Sequence, residues 1–273
     1  MKLKSKYQAK QADSNGFIDY SIEEDEVWRS LYARQIQIVQ THACLEFIEG
    51  LAKLNMPADR VPQLADINRG LLPLTGWSVV AVPALISTDH FFTLLNQRQF
   101  PAATFIRLPE ELDYLQEPDI FHEFFGHCPL LTNPVYADFM QKYGEVALAA
   151  PEADRELLAR LFWFTVEFGL IKTPQGIRCY GGGILSSKNE TIYALESKLP
   201  DRKAFKLMDV LRTPYRIDIM QPIYYVIDSY DQLYELLNAD LSTVIQQAKN
   251  LGEFAPSFKT SDYTDQNDEW VTC

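Results

Sequence analysis

The stretch Leu157-Leu158-Ala159-Arg160-Leu161-Phe162-Trp163-Phe164-Thr165-Val166-Glu167-Phe168-Gly169-Leu170-Ile171 leaves this chain the least freedom. Coiled as a helix it carries apolar residues on every side, so no face of it suits water and it must lie inside the protein. It is shorter than the about 20 apolar residues that a membrane crossing needs, and it holds Arg160 and Glu167. A buried helix has to be enclosed by other elements, and 273 residues are enough for one large core without forcing a second domain. The expected fold is mainly α with short β elements, in one domain over residues 1–273. Residues 1–20 are expected to be mobile, and about 253–273 to form a C-terminal tail.

A carboxylate within such a helix is costly unless it is paired or bound to a metal. A salt bridge to an arginine is the simplest partner for Glu167. The segment Asp119-Ile120-Phe121-His122-Glu123-Phe124-Phe125-Gly126-His127-Cys128-Pro129 offers another, with two of the four histidines in otherwise apolar sequence. On an ideal α-helix five residues leave His122 and His127 about 140° apart, unable to share a ligand. Gly126 lets a helix end in the left-handed conformation and Pro129 discourages its continuation. The sequence therefore predicts His122 on a last turn and His127 just beyond it. This spacing is not the His-Glu-x-x-His of zinc proteases. Two histidines and a carboxylate on one face, with other positions open, is the ligand set of non-haem Fe(II) oxygenases, and catalytic zinc uses the same donors. Two hydrogen-bonded core histidines remain the plain alternative.

Along the chain, Ser21-Ile22-Glu23-Glu24 is a capping box that starts a helix to about Leu54, within which His42 reads as structural. A shorter helix has Pro62 at its start and precedes Gly70 and Gly76. Trp77–Pro83 reads as a strand, and Ser87 or Thr88 caps the next helix. Ala103–Arg107 reads as a short strand that delivers Arg107 to the metal motif. Asn133-Pro134 starts a helix to about Ala149, and Pro151 starts the buried one. Gly181–Gly183 lacks the Gly-Lys-Ser/Thr of a phosphate loop and reads as a tight turn that permits close backbone approach. Helices are expected at about 201–212 and about 229–250, with Gly252 as a stop.

The balance of 25 basic and 37 acidic residues gives a net charge of −12, which excludes a nucleic-acid footprint. Cys44, Cys128, Cys179 and Cys273 show no C-x-x-C spacing, which suggests reduced thiols and a cytoplasmic location. Met1–Lys6 lacks the apolar run of a signal peptide, and nothing in the chain suits a membrane.

The metal segment from Glu117 to His127 and the run Trp163–Leu170 together resemble the pterin-dependent aromatic amino acid hydroxylases. The likeness continues through Tyr180-Gly181-Gly182-Gly183-Ile184-Leu185-Ser186-Ser187 and Gln221-Pro222-Ile223-Tyr224-Tyr225-Val226. Thr41-His42-Ala43-Cys44, Val61-Pro62-Gln63-Leu64 and Thr75-Gly76-Trp77 also fit, so the resemblance covers about residues 17–250 in order. It implies a helical basket around iron and the hydroxylation of an aromatic amino acid, foremost L-phenylalanine to L-tyrosine. O2 and a tetrahydropterin (tetrahydrobiopterin or a related reduced pterin) would be consumed.

On this resemblance His122, His127 and Glu167 hold Fe(II), while Arg107, Trp163 and Ser186 receive the amino acid. Phe91, Ile86 and Glu123 hold the pterin, Glu123 pointing away from the metal, and no catalytic residue beyond the ligands is implied. Trp163 and the apolar Ile217 point to phenylalanine rather than tryptophan or tyrosine. Three positions depart from animal members of the family: Phe162 where tyrosine is common, Pro101 for a histidine and Leu115 for a hydroxyl residue. The regulatory domain and the long heptad helix of those members are not expected here. Phe258, Tyr263 and Trp270 on the polar tail suggest a homodimer contact. Two other readings use the same ligands, a zinc-dependent hydrolase with Glu123 as general base and a structural metal site, which needs a fourth protein ligand.

Overall fold

The computed structural model describes residues 7–83, 86–113, 115, 117–238 and 240–259. Ser21 starts the first helix as its sequence requires: its hydroxyl accepts from the Glu24 amide and Glu24 Oε2 accepts from the Ser21 amide at 2.7 Å. That helix, α1 (Ile22–His42), stops at His42 instead of running on to Leu54. Ala43 is extended and bridges Cys179, and the Cys44 amide donates to Cys179 O at 2.9 Å. A long-range pairing here outweighs local helix propensity. The chain resumes as α2 (Leu45–Leu54), which ends on left-handed Asn55, and α3 (Leu64–Thr75), which starts after Gln63 rather than at Pro62 and ends on Gly76 at φ 73.

Strand β1 (Ser78–Val82), helix α4 (Thr88–Asn96) and strand β2 (Gln99–Ala103) make a parallel β-α-β unit, with Ser78 opposite Gln99. The strand expected at 103–107 lies earlier, because the polar backbone of the next residues is used elsewhere. Thr104 O accepts from the Tyr20 hydroxyl at 2.8 Å and Phe105 O accepts from the Ile120 amide at 2.9 Å. Within the described part of the N-terminal segment Tyr7 stacks on Phe105 at 4.2 Å and Ile18 is fully buried, while residues 11–17 are exposed.

Asn133 caps α5 (Pro134–Ala149), and α6 (Arg155–Phe162) leads into the buried stretch. The expected buried helix is cut short after Glu167, where residues 169–173 become a strand. Strands β3 (Gly169–Thr173) and β4 (Gly176–Cys179) form a hairpin in a four-stranded sheet with β5 (Asp201–Ala204) and β6 (Ile223–Ile227). The order is β4-β3-β6-β5, with β6 parallel to both neighbours. Ile223-Tyr224-Tyr225-Val226-Ile227 is β-branched and aromatic, and it recruits Asp201–Ala204 as an edge although helix was expected there. Helix α7 (Gly182–Leu185) follows the hairpin, then α8 (Lys188–Glu196) and α9 (Leu207–Arg212). The helix expected over 229–250 is two, α10 (Tyr230–Leu236) and α11 (Leu241–Leu251), the second capped by Asp240 and ended by Gly252 at φ 70.

The tail as far as it is described folds back on its own chain. Glu253 pairs with Arg160 at 2.6 Å, and the Arg212 and Arg216 guanidinium groups lie over Phe254 and Phe258 at 4.2 and 5.8 Å. Tyr263, Trp270 and Cys273 lie outside the described residues. Cys44, Cys128 and Cys179 are free and buried. Among the described residues no helix is long and apolar enough to cross a membrane.

Candidate metal centre

Residues His122–His127 wind as one π turn, in which the Cys128 amide donates to Glu123 O at 3.3 Å. An i→i+5 turn brings residue i+5 back over residue i. The two histidines therefore share a face, with their Nε2 atoms 3.0 Å apart. The extra residue in the turn does what a helix end at Gly126 was expected to do. Gly126 is not at positive φ, and Pro129 continues through a right-handed turn into a 3-10 turn at Leu130–Thr132. Glycine is needed at 126 for room, since a Cβ there would stand 2.7 Å from Gly182 O. The opposite face of the turn is anchored by aromatics. Phe121 and Phe125 stack at 4.9 Å, and Trp28, Tyr32 and Phe47 meet them from α1 and α2.

Glu167 ends a second π turn, Trp163–Glu167, closed by the Phe168 amide on Trp163 O at 2.8 Å. Its carboxylate does not meet an arginine: Arg160 turns instead to Glu156 at 2.9 Å and Glu253 at 2.6 Å. Glu167 Oε1 lies 3.2 Å from His127 Nε2, and Oε2 lies 3.7 Å from His122 Nε2. Donors about 2.1 Å from one ion and at right angles to each other stand about 3 Å apart, so the three groups have the spacing of a shared metal. Oε1 is buried and accepts no hydrogen bond despite its closeness to His127. That is how a carboxylate oxygen looks when it is aimed at a cation rather than at an N–H.

The charge balance points the same way. Burial, opposed by Glu167, holds the His122 pKa down at about 4, so its ring is neutral at pH 7. Burial also tends to raise the Glu167 carboxyl, but His127, His122 and the Gly183 amide outweigh it and keep the group below its ordinary value. With the His122 ring neutral at pH 7, a divalent ion between the three groups would supply the positive charge that a buried carboxylate needs. The donor set thus fits a resident metal.

The glycine run expected as a tight turn is the start of α7, and it does provide close approach. A Cβ on Gly182 would stand 2.3 Å from His127 Cε1, and one on Gly183 would stand 2.9 Å from Glu167 Oε2. Hairpin β3–β4 brings these glycines to Glu167, with the Gly181 amide donating to Gly169 O at 3.0 Å. Ser186 Oγ lies 2.9 Å from His122 Nδ1, which fixes the ring and leaves Nε2 for the metal.

Arg107 is 7% exposed, and its Nε and Nη2 both donate to Asp119, at 2.8 and 2.9 Å. Asp119 Oδ1 also accepts from the His122 amide at 3.0 Å, tying Arg107 to the first metal-bearing turn. Burial acts to raise the Asp119 carboxyl, but the Arg107 guanidinium and these hydrogen bonds hold it below its ordinary value. Asp119 was not singled out from the sequence, although an Asp three residues before His122 is a helix-cap signal. Trp163 is nearly buried, stacked on Tyr215 at 4.6 Å, and its indole N–H donates to Gln221 Oε1 at 3.0 Å.

Phe91 has no exposed area and packs against Phe92 and Phe162, while Ile86 is half-buried against the core. One Glu123 oxygen lies within 4.8 Å of a ring nitrogen of each histidine. Burial, with Glu167 and Asp119 nearby, pushes its carboxyl well up, toward the neutral form. Glu167 is therefore the better carboxylate ligand, being held ionised and lying 3.2 Å from His127. A separate cavity of ≈ 360 Å³ is lined by none of these residues. Its Arg202 is committed to the carbonyls of Ala194 and Ser197, and its His42 to Glu196.

Residues 2–268 match the family described as biopterin-dependent aromatic amino acid hydroxylase. The phenylalanine-4-hydroxylase of Pseudomonas aeruginosa is 52% identical over 254 residues, spanning 93% of this chain and 97% of that protein. The apo structure of the cold-active phenylalanine hydroxylase from Colwellia psychrerythraea is similar with a TM-score of 0.91 at 51% identity, covering 94% of this chain and 100% of that one. The Chromobacterium violaceum phenylalanine hydroxylase, solved with bound oxidized Fe(III), gives a TM-score of 0.85 at 46% identity over 92% of this chain and 94% of that one. With the family match running over nearly the whole chain and a half-identical relative covered almost end to end, this chain belongs to the biopterin-dependent aromatic amino acid hydroxylases.

Proposed function

We propose that this chain is a phenylalanine 4-monooxygenase that converts L-phenylalanine to L-tyrosine, with Fe(II) held by His122, His127 and Glu167. The observation that carries the reading is the convergence of three donor atoms at 3.0 to 3.7 Å in a chain of this family. When bound, Fe(II) would offer open positions to O2 and the reduced pterin would supply two electrons, one oxygen atom ending on the ring and the other on the pterin.

The chain's own residues supply placement. Arg107, held by Asp119 through Nε and Nη2, presents its outer edge to the amino acid carboxylate. Trp163 offers the flat wall for the ring, and Ser186 keeps His122 in one orientation. Phe91, Ile86 and Glu123 are the proposed pterin contacts. For Phe91 this requires its packing against Phe92 and Phe162 to open, because its ring has no free face. Ile217, apolar and half-buried, gives no partner to a phenol, and burying an unpartnered hydroxyl is penalised. Reduced buried thiols suit a cytoplasmic location. A homodimer through the tail is the remaining proposal.

A competition assay with L-phenylalanine, L-tyrosine and L-tryptophan tests this reading, run with Fe(II) and with and without a tetrahydropterin. Phenylalanine should show the highest kcat/KM, and tyrosine should form only when the pterin is present. Preferred conversion of tyrosine to a catechol would overturn the substrate. A zinc-loaded protein active without O2 or reductant would return the hydrolase.

A further inference from the structure

Gln221 stands at the entry to β6, is 1% exposed, and uses both ends of its amide. Oε1 accepts from Trp163 Nε1 at 3.0 Å, while Nε2 donates to Arg216 O at 2.8 Å and to Ile219 O at 2.9 Å. The partners fix the orientation of the amide, since an indole N–H only donates and a carbonyl only accepts. The backbone of Gln221 is fixed as well. Its amide donates to Glu190 Oε1 at 3.2 Å, and Glu190, itself buried, also accepts from the Tyr224 hydroxyl. β6 is paired with β3 directly after Glu167, with Tyr225 opposite Gly169. Gln221 therefore cannot drift relative to the metal-bearing turn.

We propose that Gln221 is the positioning residue that sets ring selectivity. Its single amide locks the Trp163 indole to the loop that carries Tyr215 and Ile217. The inference rests on the proposed function, in which Trp163 and Ile217 face the substrate ring. Trp163 has two supports of its own, the stacked Tyr215 ring at 4.6 Å and Phe168 at 4.3 Å. Tyr215 belongs to the same loop, so the Arg216 and Ile219 carbonyls held by Gln221 tie one of these supports to the same amide. Glutamine alone meets both needs. Glutamate keeps an acceptor for the indole but has no donor for the carbonyls, and methionine keeps the volume and meets neither.

The test uses the iron-loaded enzyme, its Gln221→Met and Gln221→Glu variants, and each of these in a Trp163→Phe background. Calorimetric Kd values for L-phenylalanine and L-tryptophan are read beside kcat/KM, iron content and thermal unfolding. In Gln221→Met the phenylalanine-to-tryptophan ratio, in Kd and in kcat/KM, should fall by about tenfold or more, with iron per chain unchanged. Gln221→Glu should lose less. In the Trp163→Phe background, where the indole donor is gone, the same replacement should shift the ratio by less than about threefold. A purely structural residue would lower both amino acids by one factor, and an unchanged ratio in either folded variant overturns the inference. If Gln221→Met does not fold, Gln221→Glu decides alone. A wild-type enzyme that binds phenylalanine without hydroxylating it sinks the proposed function, while the Kd ratios still decide the role of Gln221.

Discussion

Replacing Gly182 with alanine adds one methyl group directly against a metal ligand. The new Cβ would stand 2.3 Å from Cε1, 2.4 Å from Nδ1 and 2.7 Å from Nε2 of His127. Ordinary contact begins at 3.4 Å, so ring or helix must give by 3.4 − 2.3 = 1.1 Å. His127 is 3% exposed and Phe100 packs on its ring at 5.1 Å, so it has little room to retreat. Metal–ligand distances tolerate only about 0.2 Å, so a displacement of this size should lower iron affinity by roughly 100-fold or more. Overpacking costs about 1–3 kcal/mol, so the metal-free fold should stay within about 3 kcal/mol of wild type. Gly183→Ala, whose nearest contact is Glu167 Oε2 at 2.9 Å, needs a shift of only 3.4 − 2.9 = 0.5 Å and should lose less. Iron retention against a chelator and the visible spectrum of the Co(II) form read the site, and urea unfolding of the metal-free protein reads the fold. Wild-type affinity and an unaltered cobalt spectrum in Gly182→Ala would refute the reasoning.

Glu167→Gln should lose most iron and activity while keeping the fold, and wild-type iron content and turnover in this variant would remove Glu167 from the ligand set. Arg107→Lys cannot make the paired contact to buried Asp119, so it should cost about 1–3 kcal/mol of stability and raise KM for phenylalanine with iron content kept; an unchanged KM moves the carboxylate site elsewhere. His122 is held at about 4 when folded against 6.5 when free, so between these values the unfolded chain binds more protons and stability rises with pH. The gain, up to about 3 kcal/mol in metal-free protein, should be complete above pH 6.5 and absent from His122→Asn; equal slopes in the two proteins by urea titration from pH 4 to 7 would rule it out.

Features decided by neighbours in the chain were legible in the sequence. The caps at Ser21, Ser87 and Asn133 sit where local hydrogen bonding puts them. The three proposed ligands stand out by residue type, as a carboxylate and two histidines in apolar sequence. Features decided at a distance were not. The end of α1 is set by Cys179, and the strand at Asp201–Ala204 exists because β6 offers it an edge. Asp119 and Gln221 were quoted within motifs without a role, because their importance lies in what they touch: Arg107 and the His122 amide for one, Trp163 and two loop carbonyls for the other.

Gly126 is the most informative departure from an ideal helix. Treating the helix as ideal made the five-residue spacing of His122 and His127 look like a conflict, and a helix break was the obvious escape. The chain escapes by widening the turn, and it does so again at Trp163–Glu167, so that both elements supplying ligands are π turns. Such turns are rare because they are poor helices, and something outside the backbone has to hold them. Around the first, the stacked Phe121 and Phe125 press into α1 and α2. Around the second, Phe164 and Val166 are buried, and Phe164 meets Tyr225 of β6 edge-on at 5.3 Å. The aromatic core thus does more than exclude water. It stabilises two backbone distortions that would otherwise relax, and those distortions aim three donor atoms at one point.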